Sequence, residues 1–386
     1  MGQFILDLGF KDEYNHTMKI LILGAGMQGR IAAWDLKRSG HDVTVIDREP
    51  ENLVRCRERV SVKTFIFDIR DEKRLVRLMK DFDAVLGALP AVFGFYALRC
   101  AVKAGVDMAD MSYLPEDPLR LGPQARARKV RIIPDAGFAP GLSNILCGEA
   151  YRILGRADRL RILVGGMPQK PRPPFNYRIT WSPADLMAEY LRPARIFKNY
   201  RVLTRPALDG IEEIRVPGVG RLECFYTDGL RTLLRTFRSV RDMEEKTVRY
   251  PGHARLFKTI IDAGFFSEKT IPFRGGLVTP KEFALEFLKN FLGPGDERDL
   301  SVLIVELTNK RRAKKYLCVD RYDPKERITS MARMTAFSGS VIVQGIKKYP
   351  GYGVIPPEYL GRDKGFSDFV KKELKKRGII IKESGR

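Results

Sequence analysis

The stretch KILILGAGMQGRIAAWDL, residues 19–36, constrains the fold more than any other part of the chain. A short apolar run ends on glycines at positions 24, 26 and 29 and passes directly into an amphipathic, helix-like segment. Gly24 permits a tight turn, Gly26 lets a ligand approach the backbone, and Gly29 lets the helix pack closely on the strand. The next apolar run, HDVTVID, ends on Asp47. A strand, a glycine turn opening a helix, and a second strand ending on a carboxylate form a βαβ unit suited to a dinucleotide. The helix N-terminus faces the pyrophosphate and the carboxylate accepts hydrogen bonds from a ribose. Met27 and Gln28, inside the turn, belong to the same candidate site.

Asp47 and Arg48 stand side by side and ask for different ligands. A carboxylate accepts from both ribose hydroxyls and repels a 2′-phosphate, whereas an arginine welcomes that phosphate. The placement of Asp47 at the strand end favours NAD, with Arg48 peripheral to the adenosine. The alternation then continues through VKTFIFDI, a helix capped by Asp71, DAVLGALP, FGFYALRCAVKAG, VDMADMS, a basic helix and VRIIPDAG. Six strands with intervening helices predict a doubly wound Rossmann domain of α/β class over residues 18–140. Its topology brings Asp68 and Ile69 near the adenine and Ala88, Leu89 and Pro90 near the nicotinamide.

After PDAGFAPGLSN the texture changes to LRILVGGM, FNYRITW, GIEEIRVPGV and RLECFYTDG, strand-like runs with few helices between them. They predict a second, α+β domain with a mixed or antiparallel sheet over 141–327. SPADLMAEYL reads as a helix with Ser182 as N-cap, Pro183 in its first position and Asp185 completing a capping box. SVLIVELTNKRRAKKYLCVDRYD reads as a hairpin with a solvated basic tip. The long helix RITSMARMTAFSGSVIVQGIKK then starts a segment, 328–386, expected to return to the first domain. Residues 1–17 read as an extension, and Met18 directly precedes the first strand.

Composition narrows the function classes. The net charge of +22 raises the question of nucleic acid, with basic clusters at 126–131, 309–316 and 371–378. None of them is interleaved with stacking aromatics or set in a groove-reading motif, so solvated surface is the expectation and no nucleic-acid partner is expected. The five cysteines contain no C-x-x-C pair and there are only three histidines, which gives neither a zinc pattern nor a disulfide framework. No apolar run spans a bilayer and no signal peptide is evident, so a cytoplasmic protein is expected. Asn and Gln together number only 12 against abundant Lys, Arg and Glu, a bias associated with thermophilic life.

ILGAGMQGRIAAWDL, PDAGFAPGLSN, TWSPADLMAEYLRPA, FYTDGLRTLLRT and EKTVRYPGHA together resemble the saccharopine dehydrogenase family, most nearly its lysine 6-dehydrogenases, over roughly residues 18–360. The resemblance implies NAD-dependent oxidative deamination of the ε-amino group of L-lysine to 2-aminoadipate 6-semialdehyde, which cyclises to piperideine-6-carboxylate. The alternative within the family is a saccharopine or carboxynorspermidine type of dehydrogenase acting on a secondary amine. A third, non-enzymatic reading, motivated by the +22 charge, is a cofactor-binding sensor or nucleic-acid-associated protein. The resemblance also implies a middle domain that binds substrate and pairs subunits, hence a homodimer.

A substrate of this kind needs a clamp for its carboxylate, and arginine offers a bidentate fork. The resemblance assigns substrate binding to Arg231 and Thr232 in TDGLRTLLRTF and to Thr247, Arg249 and Tyr250 in EKTVRYPGH. An amine must lose a proton before hydride departs. His253, within its motif, is one candidate base; Asp228 is another, and Glu244 a third. The stiff PDAGFAPGLSN loop brings Gly137 and Phe138 towards nicotinamide and substrate.

Overall fold

The computed structural model describes residues 17–179, 183–293 and 298–385. The N-terminal extension up to residue 16 and the Ser182 cap lie outside the described residues. The chain divides into two compact units. One takes in the residues up to Glu149 together with Thr335–Gly378, and the other Ala150–Met334 together with Ile379–Arg386.

The first unit alternates β1 (Lys19–Leu23), α1 (Met27–Arg38), β2 (Asp42–Asp47), α2 (Pro50–Arg59), β3 (Lys63–Ile66), α3 (Glu72–Met79), β4 (Ala84–Gly87), α4 (Ala91–Ala104), β5 (Asp107–Asp110), α5 (Gly122–Ala127) and β6 (Arg131–Ile133). All pairings in its seven-stranded sheet are parallel, in the order β17-β6-β5-β4-β1-β2-β3, where β17 is Gly353–Val354. Every residue of β4 is buried, as a continuous apolar strand requires when helices cover both faces, and β5 is buried as well although Asp107 and Asp110 make up half of it. The edge strand β3 instead leaves Phe65 and Ile66 exposed. The strand order reverses between β1 and β4, so the loops leaving their C-terminal ends part company there and leave a crevice. Asp71 caps α3 through a bond from the Arg74 N–H, as its position predicts.

The C-terminal segment returns to this unit through β17, α12 (Pro357–Arg362) and α13 (Lys364–Lys376). It packs on α6 (Leu142–Leu154) by bringing backbones together. A Cβ on Gly148 would lie 2.0 Å from the Glu358 carbonyl oxygen, and one on Gly361 would lie 1.9 Å from that of Ile145. Beside this crossing Asn144 donates to the buried Glu358 carboxylate at 3.2 Å and Lys371 pairs with Glu149 at 2.5 Å.

The second unit holds β7 (Arg159–Pro168), α7 (Pro183–Leu191), β8 (Ala194–Lys198), β9 (Arg201–Arg205), β10 (Glu212–Val216), β11 (Gly220–Tyr226), α8 (Leu233–Thr236), β12 (Asp242–Arg249), α9 (His253–Asp262), the hairpin β13 (Ile271–Phe273) and β14 (Gly276–Val278), α10 (Pro280–Phe291), β15 (Asp299–Thr308) and β16 (Ala313–Arg321). Helix α11 (Ser330–Gly345) begins in this unit and from Thr335 onward belongs to the first, and β18 (Ile381–Gly385) joins the second unit's sheet beside β16. The sheet runs β10-β11-β12-β7-β15-β16-β18, with β8 and β9 hung on β12. It is mixed: β12 and β7 are parallel and the other pairs antiparallel. The basic hairpin tip at Lys310, Arg311 and Arg312 is exposed, as expected. FNYRITW is the exception. Its described residues, 175–179, form no strand, because Phe175 and Tyr177 turn into an aromatic cluster with Tyr190, Phe225 and Phe257. A separate cluster containing Val248, Cys224 and Val302 also packs in this unit.

All five cysteines are free and buried, and burial pushes each thiol above its ordinary value. Among the described residues no helix is long and apolar enough to cross a membrane, and no group of three or more His, Cys, Asp or Glu is placed to hold a metal. The α6–α12 crossing generates a prediction. Gly148→Ala forces backbone atoms apart and should cost about 1–3 kcal/mol, the range for overpacking a tight interior. A lowered midpoint in urea denaturation, set against an exposed control such as Gly276→Ala, where an added Cβ meets nothing closer than 3.8 Å, measures it.

Candidate functional site

In the first unit the candidate residues gather at the C-terminal ends of β1, β2 and β4. Gly24 has φ +98, and a Cβ there would sit 2.6 Å from the Ala88 carbonyl oxygen; a Cβ on Gly29 would sit 1.9 Å from that of Gly24. Only glycine suits either position. At Gly26 an added Cβ meets nothing within 4 Å, so open space lies in front of this backbone. Gly26 is also the N-cap of α1, which has no side-chain cap and no acidic residue in its first turn. The helix therefore presents uncompensated N–H groups, the arrangement that receives a pyrophosphate. The Gln28 side-chain oxygen, beside this turn, is buried without a hydrogen-bond partner, while Met27 is exposed.

Asp47 reaches back to the turn. Its Oδ2 accepts the Ala25 N–H at 2.7 Å and the Asn52 amide at 3.3 Å, and its Oδ1 accepts the Glu49 N–H at 2.8 Å. A carboxylate offers about four acceptor positions, so room remains for a hydroxyl donor. Arg48 points to solvent and pairs with Glu49 at 2.9 Å. Asp68 is half-buried and forked onto Arg70, whose hydrogen bonds pull its carboxyl down to about 2. Ile69 turns into the hydrophobic core. Ala88 and Leu89 are half-buried and Pro90 is the exposed N-cap of α4. The residues present thus fit a dinucleotide.

In the loop after β6, a Cβ on Gly141 (φ +135) would lie 2.1 Å from the Gly137 oxygen, and that oxygen accepts the Leu142 N–H at 2.9 Å. Phe138 is buried within this closed turn.

The second unit carries a buried polar cluster on one face of its sheet. Successive strand residues point to opposite faces, so Glu245, Thr247 and Arg249 of β12 share a side. Helix α7 brings Glu189 and Tyr190 to it, α9 brings His253, and the turn after β11 brings Thr227. The Arg249 Nε–H donates to the Tyr190 hydroxyl at 3.0 Å, and its guanidinium lies 4.7 Å from the Tyr177 ring centroid. Tyr190 is 2.8 Å from His253 Nε2, and His253 Nδ1 is 2.8 Å from the Phe175 carbonyl. A carbonyl only accepts, so Nδ1 carries the hydrogen and Nε2 accepts from Tyr190. Burial, with the Arg249 charge nearby, drops the imidazole to about 3. His253 is a neutral structural link at ordinary pH.

Tyr250 and Glu244 lie on the other face. Tyr250 packs with Val248, and its hydroxyl donates to the carbonyls of Pro168 and Gln169 at 2.9 and 3.0 Å. Glu244 lies against Arg159 and Arg161, whose charges outweigh burial and hold its carboxyl below the ordinary range. Asp228 is buried and forked by Arg195, at 2.9 and 2.8 Å, with the Arg195 N–H also donating. Arg231 (φ +52) and Thr232 are buried just before the short helix α8.

Two family models cover almost the whole of the described chain. The saccharopine dehydrogenase NADP binding domain matches residues 20–133 and the saccharopine dehydrogenase C-terminal domain matches residues 137–379. The chain belongs to the saccharopine dehydrogenase family. It is 21% identical over 263 residues to the Saccharomyces cerevisiae saccharopine dehydrogenase [NADP(+), L-glutamate-forming], a match covering 64% of this chain and 58% of that protein. It is 23% identical over 229 residues to the Arabidopsis thaliana alpha-aminoadipic semialdehyde synthase, covering 54% of this chain and 21% of the other. The chain thus spans well under two thirds of the length of these curated relatives. The solved apo structure of the S. cerevisiae saccharopine dehydrogenase (L-Glu forming) shares the fold, with a TM-score of 0.77 at 17% identity, covering 96% of this chain and 100% of that one.

Within this family member the structure brings together Thr247, Arg249 and His253 from the sequence-read set. It adds Glu189, Tyr190, Thr227 and Glu245, which sequence reasoning missed. The available signal was the i, i+2, i+4 spacing of Glu245, Thr247 and Arg249 in EKTVR, which reads equally well as a solvated strand face.

His253 sets a pH dependence. Its folded value of about 3 lies below the ordinary 6.5, so the unfolded state binds the extra proton between them. Stability from this group is full above about 6.5 and is lost as pH falls towards 3. His253→Asn should flatten that part of the melting temperature against pH, followed by circular dichroism. An undiminished slope would show that the imidazole is not held neutral.

Proposed function

We propose that this chain is a cytoplasmic NAD-linked dehydrogenase that oxidises the ε-amine carbon of L-lysine in amino-acid breakdown. The observation that carries the cofactor choice is Asp47, seated on the glycine turn with acceptor capacity to spare. The matching domain's description names NADP, yet the neighbouring arginine is occupied by Glu49. Asp47, Arg48 and Glu49 together leave one negative charge where a 2′-phosphate would sit, and unpaired like charges at close range are costly. When bound, the nicotinamide accepts hydride. Gly24, Gly26 and the N-terminus of α1 would hold the pyrophosphate, Asp47 the adenosine ribose, and Ala88, Leu89 and Gly137 would border the ring.

In the second unit Arg249 is assigned to the substrate carboxylate, with Tyr177 and Tyr190 fixing its plane. His253 holds Tyr190, and the Arg195 fork makes Asp228 a support for its turn rather than a base. The substrate class rests on the family and on the lysine-pathway names of its relatives. A saccharopine-type reaction on a secondary amine is the second reading, favoured by the name of the yeast relative, an L-glutamate-forming saccharopine dehydrogenase. We further propose a homodimer. On α10, Phe283, Phe287 and Phe291 stack along an exposed face with centroids 6.3 and 5.8 Å apart, an apolar stripe suited to a second copy.

Incubation with NAD or NADP and with lysine or saccharopine, followed by absorbance of the reduced nicotinamide, tests the assignment. Lysine-dependent reduction of NAD is expected; reduction with saccharopine alone would favour the second reading. Asp47→Ala should raise the KM for NAD about tenfold, the worth of one charge-assisted hydrogen bond, and leave that for NADP unchanged or lower. Equal losses on both would remove the ribose argument. Arg249→Ala should raise the KM for the amino acid with little change for NAD. Phe287→Asp should shift sedimentation from dimer to monomer.

A further inference from the structure

Four side chains of the second unit stand in a row whose hydrogen count is short by one. Thr227 Oγ1 is 2.7 Å from Glu245 Oε2, Thr227 Oγ1 is 2.9 Å from Thr247 Oγ1, and Thr247 Oγ1 bonds Glu189 Oε1. That makes three oxygen–oxygen links. Each hydroxyl supplies one hydrogen and an ionised carboxylate supplies none, so two hydrogens serve three links. If both glutamates are ionised, each threonine donates outward and the two hydroxyl oxygens face each other with no hydrogen between them. One protonated carboxyl fills all three links. The row closes equally well with that proton on Glu245 or on Glu189, the hydroxyls reversing direction between the two arrangements.

The ends differ. Glu245 is buried, and Gly229 makes room for it: a Cβ there would lie 2.4 Å from its carboxyl carbon. Glu189 is half-buried and forms the outer end. The charged groups bearing on the row, among the described residues, are Arg249 of β12 and Arg192 beyond α7, beside Glu189, and Asp228 of the turn, beside Glu245. Asp228 is in turn forked by Arg195 of β8. From α9 comes only the neutral His253, through Tyr190. The arginines therefore favour ionisation of the outer carboxyl, while the inner end, shut in with Asp228, retains the proton. Burial raises both glutamates, Glu245 further than Glu189.

Resting on the amine-oxidising reading above, we propose that Glu189 and Glu245 share one proton through Thr247 and Thr227, and that ionised Glu189 takes the proton of the substrate's ammonium group. The step balances: R–CH2–NH3+ and Glu189 carboxylate give R–CH2–NH2 and Glu189 carboxylic acid. One N–H bond breaks, one O–H bond forms, and nothing is oxidised or reduced. The neutral amine retains the lone pair that expels hydride from its carbon. With the shared proton parked on Glu245, the row leaves Glu189 an ionised acceptor at its outer end, beside Arg249 and Arg192.

Two isosteric variants test this, because an amide N–H replaces the missing hydrogen from either end and so preserves the row. Infrared difference spectra of the whole protein without substrate, wild type minus Glu245→Gln and wild type minus Glu189→Gln, should each show one protonated-carboxyl stretch near neutral pH. Absence of that band from both would overturn the shared proton. In turnover with lysine and NAD, Glu189→Gln should lower kcat about 100-fold, leave the KM for NAD unchanged, and abolish the acid limb of the pH–rate profile. An unchanged acid limb would remove Glu189 as the acceptor even if the rate fell. Wild-type protein that shows the band but oxidises no amine would sink the reading of the reaction and Glu189's part in it, while leaving the shared proton standing.

Discussion

Strand β12 is almost wholly buried, yet six of the eight residues in DMEEKTVR are polar or charged. A strand packed on both faces ordinarily reads as an apolar run, because buried polar groups cost free energy unless each finds a partner. The second unit is organised around meeting that demand. On one face Glu244 takes Arg159 and Arg161, and Lys246 donates to the Gly210 carbonyl at 2.7 Å and lies over the Tyr226 ring. On the other, α7, α9 and the turn at Thr227 deliver the hydroxyls, ring and carboxyl that Glu245, Thr247 and Arg249 require. Pleat alternation thus turns one sequence run into two unrelated polar environments on opposite sides of the sheet.

The first unit was the more legible from sequence. Its periodicities are local: strand, glycine turn and helix follow one another without interruption, and Gly29 does its work on the Gly24 carbonyl a turn away, although Gly24 is itself held against the distant Ala88 backbone. Asp47 was found for the same reason, being fixed by spacing to the turn it bonds. Ile69 was placed near the adenine by strand position alone, and its inward direction depends on which way one loop residue turns.

The second unit resisted because its contacts cross long stretches of chain. Glu189 and Thr247 are 58 residues apart and Tyr190 and His253 are 63 apart. Nothing in SPADLMAEYL marks Glu189 as inward-facing. The resemblance groups Tyr250 with Arg249 in one block, but adjacency along the chain is what sends them to opposite faces. The motif residues Asp228 and His253 were noticed for their ionisable chemistry. Their partners, Arg195 and the Phe175 carbonyl, decide what that chemistry is available for.

The returning strands have a consequence for how the molecule comes into being. The parallel sheet of the first unit is complete only with β17, and its α6 face only with α12, whose Gly361 meets the Ile145 backbone; the mixed sheet of the second unit receives β18 last of all. The first unit is therefore assembled from pieces that the whole span from Ala150 to Met334 holds apart in the chain, and such distant pairings are slow to form. During synthesis the dinucleotide-binding turn leaves the ribosome early, but the backbone crossing that closes its unit cannot form until Gly361 has emerged. The chain must therefore hold its first sheet one strand short while everything between β6 and β17 is being made, a period in which the β6 edge stays open to pairing with the wrong partner.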